Sequence, residues 1–346
     1  MKSVFLAAVA VLATIPGVAL AQVSGEITVA AYASYYQDNF TKAIVEPFKR
    51  KFPEIKVHYF AQFSSAERLG TLRAQKDDPQ IDVAIMDVSV ARVGNAEGLF
   101  AKLDPKKVPS LRELVPAAIV AGEFGPALTF DSFALIYNTA RFPVPPTSWK
   151  SMWDPRAAKE VVINAPPNIQ GLALTIIATK IQGGDYTKSI DPGIALLKSL
   201  APAVQSWSPS PDAYTLVTNG TAVLGTGWNS FSQLRKQQSD GKMGVVIPSE
   251  GTVPQIDTIN LVAGSKNASA AQVFINYALG AEAQAAMVKA LHFTPANAKA
   301  VVSPEDLALT AAGMKADILP VDWGYIANAR DQWLERWRRE VIAGSN

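Results

Sequence analysis

The run E-I-T-V-A-A from Glu26 to Ala31 opens the stretch that decides the fold. It has the apolar character of a short strand, and Phe40, Ile44, Val45, Phe48 and Phe52 then recur at helical spacing until Pro53 stops them. K-V-H-Y-F-A, Lys56 to Ala61, reads as a second strand. Ser64-Ser65 opens a helix that reaches Lys76, and I-D-V-A-I-M, Ile81 to Met86, is a third, buried strand ending at Asp87. Strand, helix, strand, helix, strand in this order predicts parallel βαβ units.

The alternation resumes beyond a Pro-rich stretch from Phe142 to Trp153. Strands are expected at Val161–Asn164, Val204–Trp207, Ala222–Gly225 and Gly244–Pro248, with helices at Leu172–Gln182, Pro192–Leu200, Asp212–Asn219 and Phe231–Gln238. One more strand, Thr258–Ala263, leads into a helix-rich segment, Ala268–Lys289, and a final amphipathic helix from about Tyr325 to Ile342. On that helix Trp333 and Trp337 mark an apolar stripe, and Arg330, Glu335, Arg336, Arg338 and Arg339 a solvated charged face. The pattern predicts two α/β lobes, with a cleft at the carboxyl ends of the strands and crossovers near Phe130–Leu135 and Gln255–Asn260 acting as a hinge.

The chain has 346 residues, 49% hydrophobic and 18% charged, a length that suggests about two domains. Lys+Arg 32 against Asp+Glu 30 leaves a formal charge of +2, too balanced for the basic surface that nucleic acid requires. With no Cys there is no disulfide framework, thiolate nucleophile or Cys-ligated zinc. The N-terminus has the order of a secretory signal peptide: Lys2, an uncharged run from Val4 to Ile15, Pro16-Gly17, and Ala19-Leu20-Ala21 before Gln22. The run is shorter than the ~20 residues of a membrane span. Residues 1–21 are thus expected to be a cleaved leader and the mature chain a soluble periplasmic monomer.

Tests for catalysis mostly fail. Gly225-Thr-Gly-Trp-Asn-Ser230 is neither a G-x-S-x-G elbow nor a G-x-G-x-x-G fingerprint. His58 reads as an exposed strand residue, and His292, beside Phe293-Thr-Pro295, as a turn residue that could face the cleft. Neither has zinc-motif company. Tyr35-Tyr36 would point to opposite sides of an extended chain, so at most one of them faces a ligand.

Several segments together resemble the spermidine/putrescine-binding proteins of ATP-driven importers: Val223-Leu-Gly-Thr-Gly-Trp-Asn-Ser230, Val245-Val-Ile-Pro-Ser-Glu-Gly251, Asp257-Thr-Ile-Asn-Leu-Val-Ala263, Phe293-Thr-Pro-Ala-Asn297, Pro145-Pro-Thr-Ser-Trp-Lys-Ser-Met-Trp-Asp154 and Ala134-Leu-Ile-Tyr-Asn138. The resemblance covers nearly the whole mature chain, and its specificity lies in order and spacing. It implies a two-lobed α/β periplasmic-binding-protein fold of type II, with a ligand cleft between lobes joined by a hinge. Residues 22–132 plus 258–300 would form lobe 1, 133–257 lobe 2, and 301–346 C-terminal helices packing on them. The implied partners are a small solute and an inner-membrane permease, with no cofactor and no metal.

The resemblance also implies site residues. Asp257 is the carboxylate aimed at a ligand ammonium, Trp228 the indole beneath its methylenes, and Phe293 an aromatic lid. Tyr32 and Tyr35 wall the cleft after the first strand, and Asp87 ends the third. The chemistry agrees, since a buried ammonium needs a carboxylate to offset desolvation and aromatic faces add roughly 0.5–2 kcal/mol. Asp131, inside the apolar T-F-D-S-F-A-L-I-Y run, either pairs with a cation or meets the ligand at the hinge. Where long-polyamine receptors carry an acidic pair this chain has Gln170 and Ala173, which favours a ligand with one cationic end, such as 4-aminobutyrate. Helix N-termini after Gln170 or Ser34 would hold its carboxylate. The alternatives are a ferric-ion receptor of the same fold and a periplasmic enzyme using Asp87 and Asp257 across the cleft.

Overall fold

A computed structural model describes residues 23–122 and 124–343; the expected leader, residues 1–21, lies outside them. The first strands form as predicted: β1 (Gly25–Tyr32), β2 (Ile55–Gln62) and β3 (Val83–Asp87), with β1 parallel to both of the others. Between β1 and β2 the helix α1 (Tyr35–Phe40) runs through a π-helical segment into α2 (Glu46–Lys51). Helix α3 (Ser65–Ala74) starts on a Ser64 hydroxyl that accepts from Glu67 N, the N-cap geometry that Ser favours. Helix α4 (Val88–Ala96) follows β3 directly and is capped by Asp87.

The expected parallel pairing breaks after β3, where the next two strands of the sheet are antiparallel to their neighbours. After β4 (Phe100–Ala101) comes β5 (Ala127–Asn138), one strand of 12 residues that runs through the crossover expected near Phe130–Leu135. Its sequence, A-L-T-F-D-S-F-A-L-I-Y-N, contains no Gly or Pro to break it and is rich in residues that suit a pleated surface. The strand β10 (Pro254–Val262) is likewise continuous through the other expected crossover, and it runs antiparallel to both β3 and β5.

β5 exchanges partners midway. Its first half, up to Ser132, pairs with β10 and with β11 (Thr294–Pro295); from Phe133 onward it pairs antiparallel with β8 (Leu224–Trp228) and β9 (Met243–Val246). The short β6 (Val161–Val162) is parallel to β8 and to β7 (Val204–Ser206), giving the strand order β2-β1-β3-β10-β5-β8-β6-β7. Asp87 is in register with Asp257 opposite Thr129, while Trp228 is in register with Phe133. The carboxyl ends of β3 and β8 therefore approach the middle of β5 from opposite directions.

Each half has its own core. Phe40, Ile44 and Phe48 pack with Phe274 and Ile275 of α9 (Ala268–Leu279) and Met287 of α10 (Ala281–Leu291). In the other, Phe133 stacks on Trp149 and joins Leu174 and Ile177 of α5 (Ile169–Ile181) and Leu197 of α6 (Asp191–Leu200). Helices α7 (Ala213–Thr218) and α8 (Asn229–Gln237) flank β8. After the short α11 (Pro304–Leu307), α12 (Trp323–Arg336) inserts Trp333 into the second core as expected, and the following Trp337 donates its indole N–H to Thr175 Oγ1 at 2.7 Å. The start of α12 also crosses α4, so closely that a Cβ on Gly324 would sit 2.7 Å from Arg92 Nη1. No described helix is long and apolar enough to cross a membrane.

Candidate functional site

The converging strand ends open onto a cavity of about 700 Å³. Three of its wall residues are the last residues of strands: Tyr32 of β1, Asp87 of β3 and Trp228 of β8. Tyr35, Tyr214, Phe231 and Trp323 add aromatic faces. Tyr35 stacks on Phe231 with ring centroids 4.0 Å apart, joining the two halves, and Phe231 meets Tyr214 edge-on at 4.6 Å. Tyr214 accepts from Trp228 N at 3.1 Å, and a Cβ on Gly227 would fall 2.6 Å from its ring; glycine at that position is what lets tyrosine and strand approach.

Asp87 carries the unspent hydrogen-bonding capacity. Its Oδ1 accepts from Ser89 N at 2.9 Å and Ser89 Oγ at 2.5 Å, whereas Oδ2 is buried and has no partner. Burial pushes this carboxyl above its ordinary range, against the Ser89 hydrogen bonds and the positive charge of Arg330. An unpaired buried carboxylate oxygen costs free energy that an arriving cation recovers.

The structure brings Tyr32, Tyr35, Asp87, Trp228 and Gln170 to one cavity and places the remaining expected residues elsewhere. Asp257 lies behind the wall, not across the cleft from Asp87 but next to it on the adjacent strand, with Oδ1 accepting from Tyr32 Oη at 2.7 Å. Burial first, and the Asp87 charge second, push its carboxyl up to about 7. Tyr32 Oη is also within 2.8 Å of Ser65 Oγ and accepts from Asp87 N at 3.0 Å, so Asp257 bears on the cavity through the tyrosine. Beneath the tyrosine ring, at 4.8 Å, lies the buried Arg68 guanidinium, which donates to Ile85 O.

Asp131 is spent on structure: it accepts from Ser132 N, Ser230 N and Ser230 Oγ, tying the start of α8 to β5. Phe293 is not a lid; it is core beside Tyr36, with ring centroids 6.2 Å apart. Ser34 is exposed, holds φ at 65° and caps nothing, and α1 behind it has only six residues. His292 is the buried C-cap of α10, in the left-handed conformation. His58 is exposed as expected, 2.7 Å from Glu26. Tyr35 and Tyr36 divide as predicted, one to the cavity and one to the core, although they sit on a helix and not in extended chain.

Sequence reasoning missed Ser65, Tyr214, Phe231, Trp323 and Arg330. Arg330 had been assigned to the solvated face of the last helix. A signal existed: Trp323, Ile326, Ala327 and Arg330 follow the i, i+3, i+4, i+7 spacing of one helix face, and that face lines the cavity.

The arrangement suits binding: an aromatic enclosure, one carboxylate with a free oxygen, and hydrogen-bond donors. Among the described residues no group of three or more His, Cys, Asp or Glu could hold a metal ion.

Comparison with known proteins agrees with this description. A profile of the bacterial extracellular solute-binding protein family matches residues 43–315. The spermidine/putrescine-binding periplasmic protein 1 of Haemophilus influenzae is 26% identical over 342 residues, which cover 93% of this chain and 92% of that protein. The crystal structure of an ABC transporter protein from Clostridium perfringens aligns with a TM-score of 0.74 at 26% identity, over 91% of this chain and 99% of that one. A structure described as a GABA receptor aligns with a TM-score of 0.74 at 21% identity, covering 91% and 97%. The chain belongs to the bacterial extracellular solute-binding proteins, the receptors of ABC importers, and has the two-lobed type II periplasmic-binding-protein fold.

Proposed function

We propose that this protein captures a small ammonium-bearing solute in the periplasm, an ω-amino acid such as 4-aminobutyrate or a short polyamine, and delivers it to an inner-membrane ABC permease. It does so as a monomer, without a cofactor and without catalysing a reaction. The observation that carries this reading is Asp87, whose Oδ2 is buried and unpartnered at the wall of an aromatic cavity. The names of the polyamine and GABA relatives support the same class of ligand. In this reading residues 22–132 plus 258–300 and residues 133–257 are the lobes, and β5 and β10 flex between them as the solute is enclosed.

Thermal-shift screening against 4-aminobutyrate, putrescine, spermidine and neutral controls, followed by titration calorimetry, tests it. A hit that binds wild type and is lost in Asp87→Asn supports the proposal. Binding of the neutral controls in preference to every ammonium compound sinks it.

A further inference from the structure

Another part of the cavity wall is built from donors. Helix α5 is 13 residues long and its first turn, with Asn168, Ile169 and Gln170, lines the cavity. A Cβ on Gly171 would sit 2.2 Å from Pro166 Cδ, so a close contact with glycine seats the helix start against the preceding loop. Asn168 Oδ1 caps Gln170 N–H at 3.0 Å, leaving the helix to contribute its positive end as a dipole. The Gln170 side chain is only 5% exposed, and its Oε1 accepts from Thr226 Oγ1 at 3.0 Å and Asn164 Nδ2 at 3.2 Å. Those two donors fix the orientation of the amide. Its Nε2 is then a donor on the cavity wall with no hydrogen-bond partner among the described residues.

Arg330 stands beside this helix start. Its Nη2 donates to Pro167 O at 3.0 Å, one residue before the cap. A guanidinium has five N–H donors, and among the described residues no hydrogen bond to a carboxylate occupies the others. Arg73, the other arginine on the cavity wall, differs: Glu97 holds it through two bonds of 2.8 and 2.6 Å. The cavity thus has one engaged arginine and one whose fork is open.

We propose that the N-terminus of α5, the Gln170 amide and the Arg330 guanidinium form a subsite for an oxyanion, so that the captured solute carries a carboxylate or phosphate group. That the same solute also carries an ammonium rests on the function proposed above; the oxyanion subsite does not. Planar, forked donation by arginine matches either group, and the helix end favours negative charge. The carboxylate expected at a helix N-terminus is placed here at one that has an arginine beside it.

The test uses calorimetry and melting curves on wild type, Arg330→Gln, Arg330→Lys and Gln170→Leu, with 4-aminobutyrate, phosphoethanolamine, putrescine and inorganic phosphate as probes. At least one oxyanion-bearing probe should bind wild type more tightly than putrescine does. Arg330→Gln should weaken that probe several-fold, the scale of a charge contact made by an exposed arginine. Arg330→Lys should recover part of the affinity, Gln170→Leu should lose several-fold, and putrescine should not respond to Arg330. The ranking of 4-aminobutyrate against phosphoethanolamine separates carboxylate from phosphate. Ligand-free melts of the variants verify folding. Equal binding of the oxyanion probes by wild type and Arg330→Gln overturns the subsite, as does the absence of any oxyanion binding to wild type at millimolar concentration. Arg330-dependent binding of inorganic phosphate, with no gain from an added ammonium, sustains the subsite and sinks the ammonium reading.

Discussion

Asp87 and Asp131 lie on strands with only β10 between them, and burial raises the proton affinity of both, that of Asp131 to about 6. They differ in what is left over. Asp131 satisfies both oxygens with Ser132 and Ser230, while Asp87 satisfies one and leaves the other without a partner beside an open cavity. Burial and charge alone do not mark a ligand-binding carboxylate. Unspent hydrogen-bonding capacity at the wall of a cavity does, because only there does a ligand supply something that the fold lacks.

The largest effect should come from Asp87. Asp87→Asn keeps an N-cap side chain for α4 but leaves a bound ammonium uncompensated, at a cost of about 2–5 kcal/mol, or roughly 30-fold to several-thousand-fold in affinity. Titration calorimetry with the solute from the screen measures it, and near-normal affinity would erase the distinction between the two carboxylates.

Asp131 should behave in the opposite way. Asp131→Ala strands Ser230 N and Ser132 N without an acceptor, a loss of about 1–3 kcal/mol that urea denaturation of the ligand-free protein reads directly. Affinity corrected for the folded fraction should stay within a few-fold of wild type. A large drop in affinity with unchanged stability would move Asp131 into the binding site.

A smaller effect belongs to the aromatic wall. Removing the indole in Trp228→Ala should cost the roughly 0.5–2 kcal/mol of a cation–aromatic contact, a few-fold to about 30-fold in affinity. Trp228 also meets Phe133 edge-on, with ring centroids 5.7 Å apart, so Trp228→Phe serves as the control that keeps an aromatic face. If Trp228→Ala binds as wild type does, the ammonium sits elsewhere in the cavity.

These contrasts also show where the sequence could be read. Tyr32, Asp87 and Trp228 were legible through the family resemblance, and Asp87 also because it ends a predicted strand, where in an α/β fold ligands bind. Arg330 and Phe231 were not, because helix periodicity tells which residues share a face but not what that face meets. Contacts such as Tyr35 with Phe231, nearly 200 positions apart, are set by tertiary packing. β5 itself is one uninterrupted apolar strand that changes partners at Phe133, again by tertiary packing. Asp257 was found as a residue but misjudged as a contact, since Tyr32 Oη stands between it and the cavity.

The subtlest test falls on Asp257, which lies between the two cases: hydrogen-bonded like Asp131, yet linked to Asp87 through Tyr32. Its ordinary value is 3.8, and in the folded protein burial and the Asp87 charge, with Asp131 adding a minor push, raise it to about 7 against the Tyr32 hydrogen bond and the Arg68 charge. An unfolded chain releases this proton near its ordinary value, while the folded chain holds it to about 7. Between those limits the folded state carries the extra proton, so this group's contribution to stability falls as pH rises through the window and its cost is fully present above it. Asp257→Asn has no proton to lose and keeps an oxygen for Tyr32 Oη. The melting temperature of the ligand-free variant, relative to wild type, should therefore rise from pH 5 to pH 8, by about 1–2 °C for each kcal/mol involved. A difference that is flat across that range, or that shrinks as pH rises, would mean that Asp257 stays charged in the folded protein and is paired as fully as Asp131.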